Sequence, residues 1–378
     1  MRALVGEYPL PPNCDGVRAT AGALDQFVAA LETAIDKKVE LTLDFLAQES
    51  WDLFVQVFTE AHCAGHQCWH LHDATHPAHD PEVARAVGDP LERVYRRIDR
   101  AVAAIAAAAG DGARILVICA HGMGPYRGAP FLLAEILSRL GVTARPPTRP
   151  QNLRDRALEA ARPAWTLLPP AVRRAVNALA PRNGGAIDGL GIDPSTSRCF
   201  AIPNGSPVGG IRLNLLGREP RGVLRPGADA EAFCETLETA LRTIIDERTG
   251  GPLVARVQRT DALYRGPRRN ALPDLLVEWS EKTTGTAAIS GGRGASVRAT
   301  SPEIGTVEGE NRYGRTGEHV PTGMFICTGS GIAAARRREP VSIMDFHPTI
   351  CAWLDAAAGD VDGAVIRELA PGHAAARE

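Results

Sequence analysis

WDLFVQVFTEAHCAGHQCWHLHDATHPAHD, residues Trp51–Asp80, carries six of the ten histidines in the 378-residue chain. Its first eight residues, Trp51 to Phe58, form an apolar run that reads as a buried β-strand. The histidines begin just past its carboxyl end. His62 and His66 stand four apart, a spacing that places both imidazoles on one helical face where they can share a metal ion. Ligands just beyond the carboxyl end of a strand are expected at the edge of an open α/β sheet. Cys63 and Cys68 lie among them as possible soft ligands. The alternative reading of the stretch is a His-rich surface loop.

Working outward, the same alternation recurs. Residues from about Ala19 to Gln48 carry helical apolar spacing. Asp89-Pro90 opens a helix that runs to Ala109 and stops at Gly110. Arg114 to Cys119 reads as a second buried strand, with Ala120-His121-Gly122-Met123-Gly124 leaving its end, and Phe131 to Leu140 as another helix. This pattern predicts an α/β fold, a mostly parallel central sheet with helices on both faces. Cys199 to Ile202, Gly210 to Leu215, Pro252 to Val257, Leu275 to Trp279 and Met324 to Cys327 are further expected strands, and Ala230 to Asp246 and Asp345 to Leu354 further helices. Ala287 to Ala299, rich in Gly and Ser, is expected to be a loop.

The expected organisation is one domain over residues 1–370, with an inserted cap at 142–198 and a disordered tail at 369–378. The first part of that cap, 142–182, is basic, with eight arginines against two acids.

Composition bounds the function. A net charge of −2 gives no reason to expect nucleic acid or an anionic membrane as a partner. The eight cysteines contain no C-x-x-C pair and suggest reduced thiols rather than a disulfide framework. With no signal-peptide pattern and no apolar run of membrane-spanning length, a soluble cytoplasmic protein is expected. The sequence leaves the oligomeric state open.

Histidines in three separate places, His62 and His66, His121 after the second strand, and His319 in the glycine-flanked TGEHVPTG segment, suggest ligands converging on a bound ion. Several motifs occur in a fixed order with them. They are the HGMG segment at His121, GIRLNLLGREPRG at 210–222, LPDLLVEW at 272–279, RTGEHVPTGMFICTGSGI at 315–332 and IMDFHPTICAWLD at 343–355. Together they resemble the type I phosphodiesterase/nucleotide pyrophosphatase branch of the alkaline phosphatase superfamily.

The resemblance implies an alkaline phosphatase-like fold and a hydrolase of phosphoric esters acting on a small phosphate-ester substrate. It implies divalent metal, commonly zinc. One ion would be held by His62, His66 and His319, and a second by a site to which this chain contributes His121. Arg212 and Asn214 would touch the substrate phosphate. Two carboxylates of the family pattern are replaced, by His62 and by Ala120, so the second ion lacks a carboxylate from the Asp-His pair. The family's nucleophile lies on a strand and loop well ahead of this region. Residues 1–50 read as mostly helical, so no nucleophile is assigned and the domain is expected to be amino-terminally incomplete. Two alternatives stand beside the hydrolase: a catalytically impaired relative that holds metal as a binding module, and a sulfatase or phosphotransferase of the same superfamily.

Overall fold

A computed structural model describes residues 6–10, 20–144, 191–204, 207–283, 296–311, 314–334, 336 and 339–370. Most of the basic segment at 142–198 and nearly all of the tail lie outside them. In chain order the first elements are helices α1 (Ala21–Gln48), α2 (Glu60–His72), α3 (Pro81–Val87) and α4 (Pro90–Ala109), then strands β1 (Ile115–Cys119) and β2 (Gly122–Pro125). Helix α5 (Leu133–Arg139), strands β3 (Cys199–Ile202) and β4 (Val208–Leu213), helix α6 (Ala228–Arg242) and strands β5 (Ile245–Asp246) and β6 (Val254–Arg259) follow. The remainder are α7 (Thr260–Leu263), β7 (Leu275–Trp279), β8 (Val297–Ser301), β9 (Gly305–Gly309), β10 (Gly317–Val320), β11 (Met324–Thr328) and α8 (Phe346–Trp353).

The contacts divide the chain into two compact units. Described residues up to Tyr126 and from 314 onward belong to the first, and those of 127–283 and 296–311 to the second.

The first unit is built on helix packing. Leu24, Phe27, Val28, Leu31 and Ile35 repeat at three- and four-residue intervals along α1, so they form one buried stripe. Thr20 caps the helix, its hydroxyl accepting the Ala23 N–H at 3.2 Å. Asp89 does the same for α4, accepting from Leu91 and Glu92 N–H ahead of Pro90, and Gly110 takes φ 81° at its end. The stripe packs with Ala64, Cys68 and Leu71 of α2 and with Leu91, Val94 and Ala101 of α4. Arg93, paired with Glu32 and Asp25, fastens α4 to α1 at the surface. Two antiparallel ribbons complete the unit, β1 with β11 and β2 with β10.

In the second unit, β3, β4, β7 and β6 form a four-stranded antiparallel sheet in that order. Its core joins Ile211, Val257, Leu275 and Val277 of the sheet to Phe233, Leu237 and Leu241 of α6 and Ile136 and Leu137 of α5. A three-stranded antiparallel sheet, β5-β8-β9, packs into the same core through Val297, Ala299 and Val307.

The expected parallel central sheet is not what forms. Every ladder among the described residues is antiparallel and every sheet has two to four strands, so an alkaline phosphatase-like fold is not shown. The reading of Trp51 to Phe58 as a buried strand is where the expectation broke. That segment is non-helical and joins no ladder, with Val55 72% and Val57 60% exposed. It is held along α1 by side chains instead. The Trp51 indole N–H donates to Phe45 O, the Thr42 hydroxyl to Gln56 Oε1, and the Lys38 ammonium to Val57 O. A short apolar run does not by itself say whether it is buried. The expected loop at Ala287 to Ala299 also reaches into β8, whose Val297 and Ala299 are buried. Among the described residues, no helix is long and apolar enough to cross a membrane.

Candidate metal centre

Helix α2 starts where the extended segment ends. Lys38 pins that junction, reaching Glu60 Oε1 at 2.8 Å and the Thr59 hydroxyl at 3.3 Å. Glu60 is fully buried and also accepts from the Tyr8 hydroxyl at 2.7 Å. Burial raises the Tyr8 pKa, so this donor stays protonated. A carboxylate in the first helical turn is favourable there. From this fixed start, His62 and His66 project from successive turns.

His319 approaches from β10, where it lies opposite Met123 of β2. The helix and the strand meet closely because both contribute glycine at the contact. A Cβ at position 317 would collide with the Gly65 carbonyl oxygen and lie 2.9 Å from Cβ of Trp69. A Cβ at position 65 would lie 2.6 Å from the terminal methyl of Met123. Thr316 secures the crossing. Its N–H donates to His66 O at 2.7 Å, and its carbonyl accepts from Tyr126 N–H at 2.8 Å and from His76 Nε2–H at 3.1 Å.

Three ring nitrogens then converge. His66 Nδ1–H donates to Gly317 O at 2.8 Å, which leaves its Nε2 with a lone pair. That Nε2 faces His319 Nε2 at 3.2 Å, and His319 Nε2 faces His62 Nδ1 at 3.1 Å. All three ligand atoms lie within 4.8 Å of one another. A neutral imidazole carries one N–H, so the single proton of His319 cannot serve both neighbours through Nε2. Metal–nitrogen bonds of ~2.0–2.1 Å in a tetrahedron place the nitrogens ~3.3–3.4 Å apart, close to the two separations that His319 makes. The cluster can hold a metal ion.

The electrostatics keep the His66 and His319 rings neutral. Burial depresses the His66 pKa to about 3, and the Arg315, His62 and His319 charges push the same way, against the Gly317 carbonyl. Burial likewise lowers His319 to about 4, aided by His121 and His62. Both rings are therefore neutral and able to ligate near neutral pH. Glu318 supplies the negative charge. Its side chain is buried, with Oε1 4.0 Å from His66 Nδ1 and 3.8 Å from His319 Nδ1.

Of the residues singled out in the sequence, His62, His66 and His319 come together. His121 lies beside them without joining the converged set. Its ring is tilted against that of His319, with centroids 3.9 Å apart, and its Nδ1–H donates to Gly122 O at 3.0 Å. Arg212 and Asn214 belong to the second unit, where the protein's own chain occupies them. The Arg212 guanidinium meets Glu219 at 2.7 Å and the carbonyls of Asn270 and Leu272, and the buried Asn214 amide donates to Pro194, Ser197 and Arg221 carbonyls. The cysteines of α2 face elsewhere, since Cys68 sits in the helical core with Cys63 packed against it. His72 pairs with Asp89 at 2.7 Å, and His79 donates to His70 O.

Sequence reasoning missed Gly65, Thr316, Gly317 and Glu318, which hold the ligands rather than forming them. The available signal was a Thr-Gly-Glu run before His319 together with a lone glycine inside a helix. Compared with family models, curated proteins and solved structures, the chain matches none.

Proposed function

We propose that the first unit carries the metal centre of a hydrolase of phosphoric esters, of phosphodiesterase or nucleotide pyrophosphatase type. The observation that carries the proposal is the convergence of His62, His66 and His319, with His319 Nε2 3.1 Å from His62 Nδ1 and 3.2 Å from His66 Nε2 and all three ligand atoms within 4.8 Å of one another. We assign zinc, because a set of three imidazoles suits a borderline-soft ion and leaves a fourth position open. The ordered motifs from His121 to Asp355 support the substrate class. Such an ion, when bound, supplies Lewis-acid polarisation of a phosphoryl oxygen and activation of water.

The chain's own residues do the rest. Gly317 O fixes the His66 ring, and Glu318 supports the imidazoles with its charge. His121, with Nδ1–H committed to Gly122 O, keeps a lone pair on Nε2 beside His319 and is placed to accept a proton from an attacking water. No nucleophilic side chain is assigned among the described residues. The seven described cysteines form no disulfide with one another, in keeping with the cytoplasmic location proposed here.

Elemental analysis of the purified protein and turnover of bis-p-nitrophenyl phosphate test the reading. One zinc per chain is expected, with loss of both metal and turnover in His66→Ala and His319→Ala. Unchanged metal content in both variants overturns the centre. A second reading follows from Ala120, which gives a second ion no carboxylate: the chain would hold metal without turnover. Stoichiometric zinc with no hydrolysis of mono- or diesters selects that reading.

A further inference from the structure

We propose that the loop Tyr264–Leu272 in the second unit is a binding site for small molecules bearing adjacent phosphates, such as a nucleoside diphosphate. Arg265, Arg268 and Arg269 line one concavity of about 380 Å³, with Tyr264 and Leu272. That volume falls in the range of small-ligand pockets.

The three guanidiniums stand together on one exposed loop, unlike the arginines of the neighbouring strands. Arg212, Arg218, Arg256, Arg259 and Arg298 each meet a glutamate or aspartate. Among the described residues, the side chains of Arg265, Arg268 and Arg269 meet no acid and no hydrogen-bond acceptor. Three unneutralised charges on one short loop, in a chain of net charge −2, form a local cationic site. Guanidinium forks match phosphate oxygens in pairs, and three of them suit a ligand with more than one phosphate.

The loop is braced to present them. Arg212 Nη1 donates to Asn270 O at 2.9 Å and to Leu272 O at 3.2 Å. The Thr260 hydroxyl donates to Pro273 O, its N–H donates to Asp274 O, and Asp274 is gripped through both oxygens by Arg218. The turn is made at Gly266, whose φ of 118° is a conformation that other residues resist. Binding at a braced loop loses less ordering entropy than binding at a slack one. Tyr264, half exposed, and Leu272, 39% exposed, add apolar surface for a base or sugar beside the phosphates.

Calorimetric titration of the full chain with ADP and with pyrophosphate tests the proposal. Both probes should bind, with affinity falling as ionic strength rises. The triple variant Arg265→Gln/Arg268→Gln/Arg269→Gln should bind about tenfold or more weakly. Arg256→Gln, which removes an exposed paired arginine, should bind within about twofold of the parent. Protein treated with chelator should still bind both probes through this loop, and the triple variant should lose that binding, separating this site from the metal centre. Absence of binding by both probes, an unchanged triple variant, or capture of RNA or anionic vesicles without ADP binding would each overturn it. The replaced side chains are exposed, so circular dichroism should be unaltered.

Discussion

At the residue scale, the centre depends on groups that would not ligate metal themselves. Glu318 is the plainest case. A carboxylate buried within 4.0 Å of two ligand imidazoles favours a bound cation and steadies the rings. Glu318→Gln keeps the shape and removes the charge. It should weaken zinc binding by ~10–100-fold in a chelator competition titration while leaving the far-ultraviolet dichroism as it was. Equal affinity would show that the carboxylate plays no part. The ligands themselves were partly legible: His62 and His66 follow from a local spacing, because four residues make about one helical turn. His319 could not follow from spacing, since 253 residues separate it from His66. Its glycine-flanked segment and its place among ordered motifs pointed to it. Glu318 and Thr316 were hidden because their roles exist only once α2 and β10 touch.

At the element scale, helices with caps and punctuation read well, and the extended segments read less well. Pro90 after Asp89, with Gly110 at the far end, marked α4 within a residue or so, since each residue type has a local conformational reason to stand there. Trp51 to Phe58 had no such marker of its surroundings, and strand composition stood in for burial. The two kinds of apolar residue should separate in unfolding measurements. Leu31→Ala, in the buried stripe of α1, should cost about 2–5 kcal/mol in a urea titration. Val55→Asp, at a position 72% exposed, should change stability by about 0.5 kcal/mol or less. A large loss at Val55 would mean that this side chain is covered in solution. The ribbons β2–β10 and β1–β11 were likewise out of reach from sequence, because antiparallel pairing across some 200 residues leaves no local trace.

For the whole molecule, the expected parallel central sheet was wrong, because the order and direction of strands within sheets depend on contacts that no single segment encodes. Three imidazoles contribute to the molecule's acid response. Folded His66 sits near 3, and His70 and His319 near 4, all depressed first by burial from an ordinary 6.5. Between pH 6.5 and about 4 the unfolded chain therefore binds protons that the folded chain does not. Stability must fall as pH falls through that window, and it is flat above it as far as these groups are concerned. In the presence of chelator, the urea midpoint should be lower at pH 5 than at pH 7.5. An unchanged midpoint would show that the three rings are open to protons in the folded state.

The pinning of Thr316 to His66 has a consequence for synthesis. His62 and His66 emerge from the ribosome some 250 residues before His319 does. During that interval a nascent chain offers an ion only two imidazoles, a weak and exchangeable hold. Tight capture awaits the Thr-Gly-Glu-His run and its docking under α2. With the proposed ion as ligand, metal retention would therefore distinguish a chain translated past His319 and correctly closed from any shorter product, whatever the state of the earlier helices.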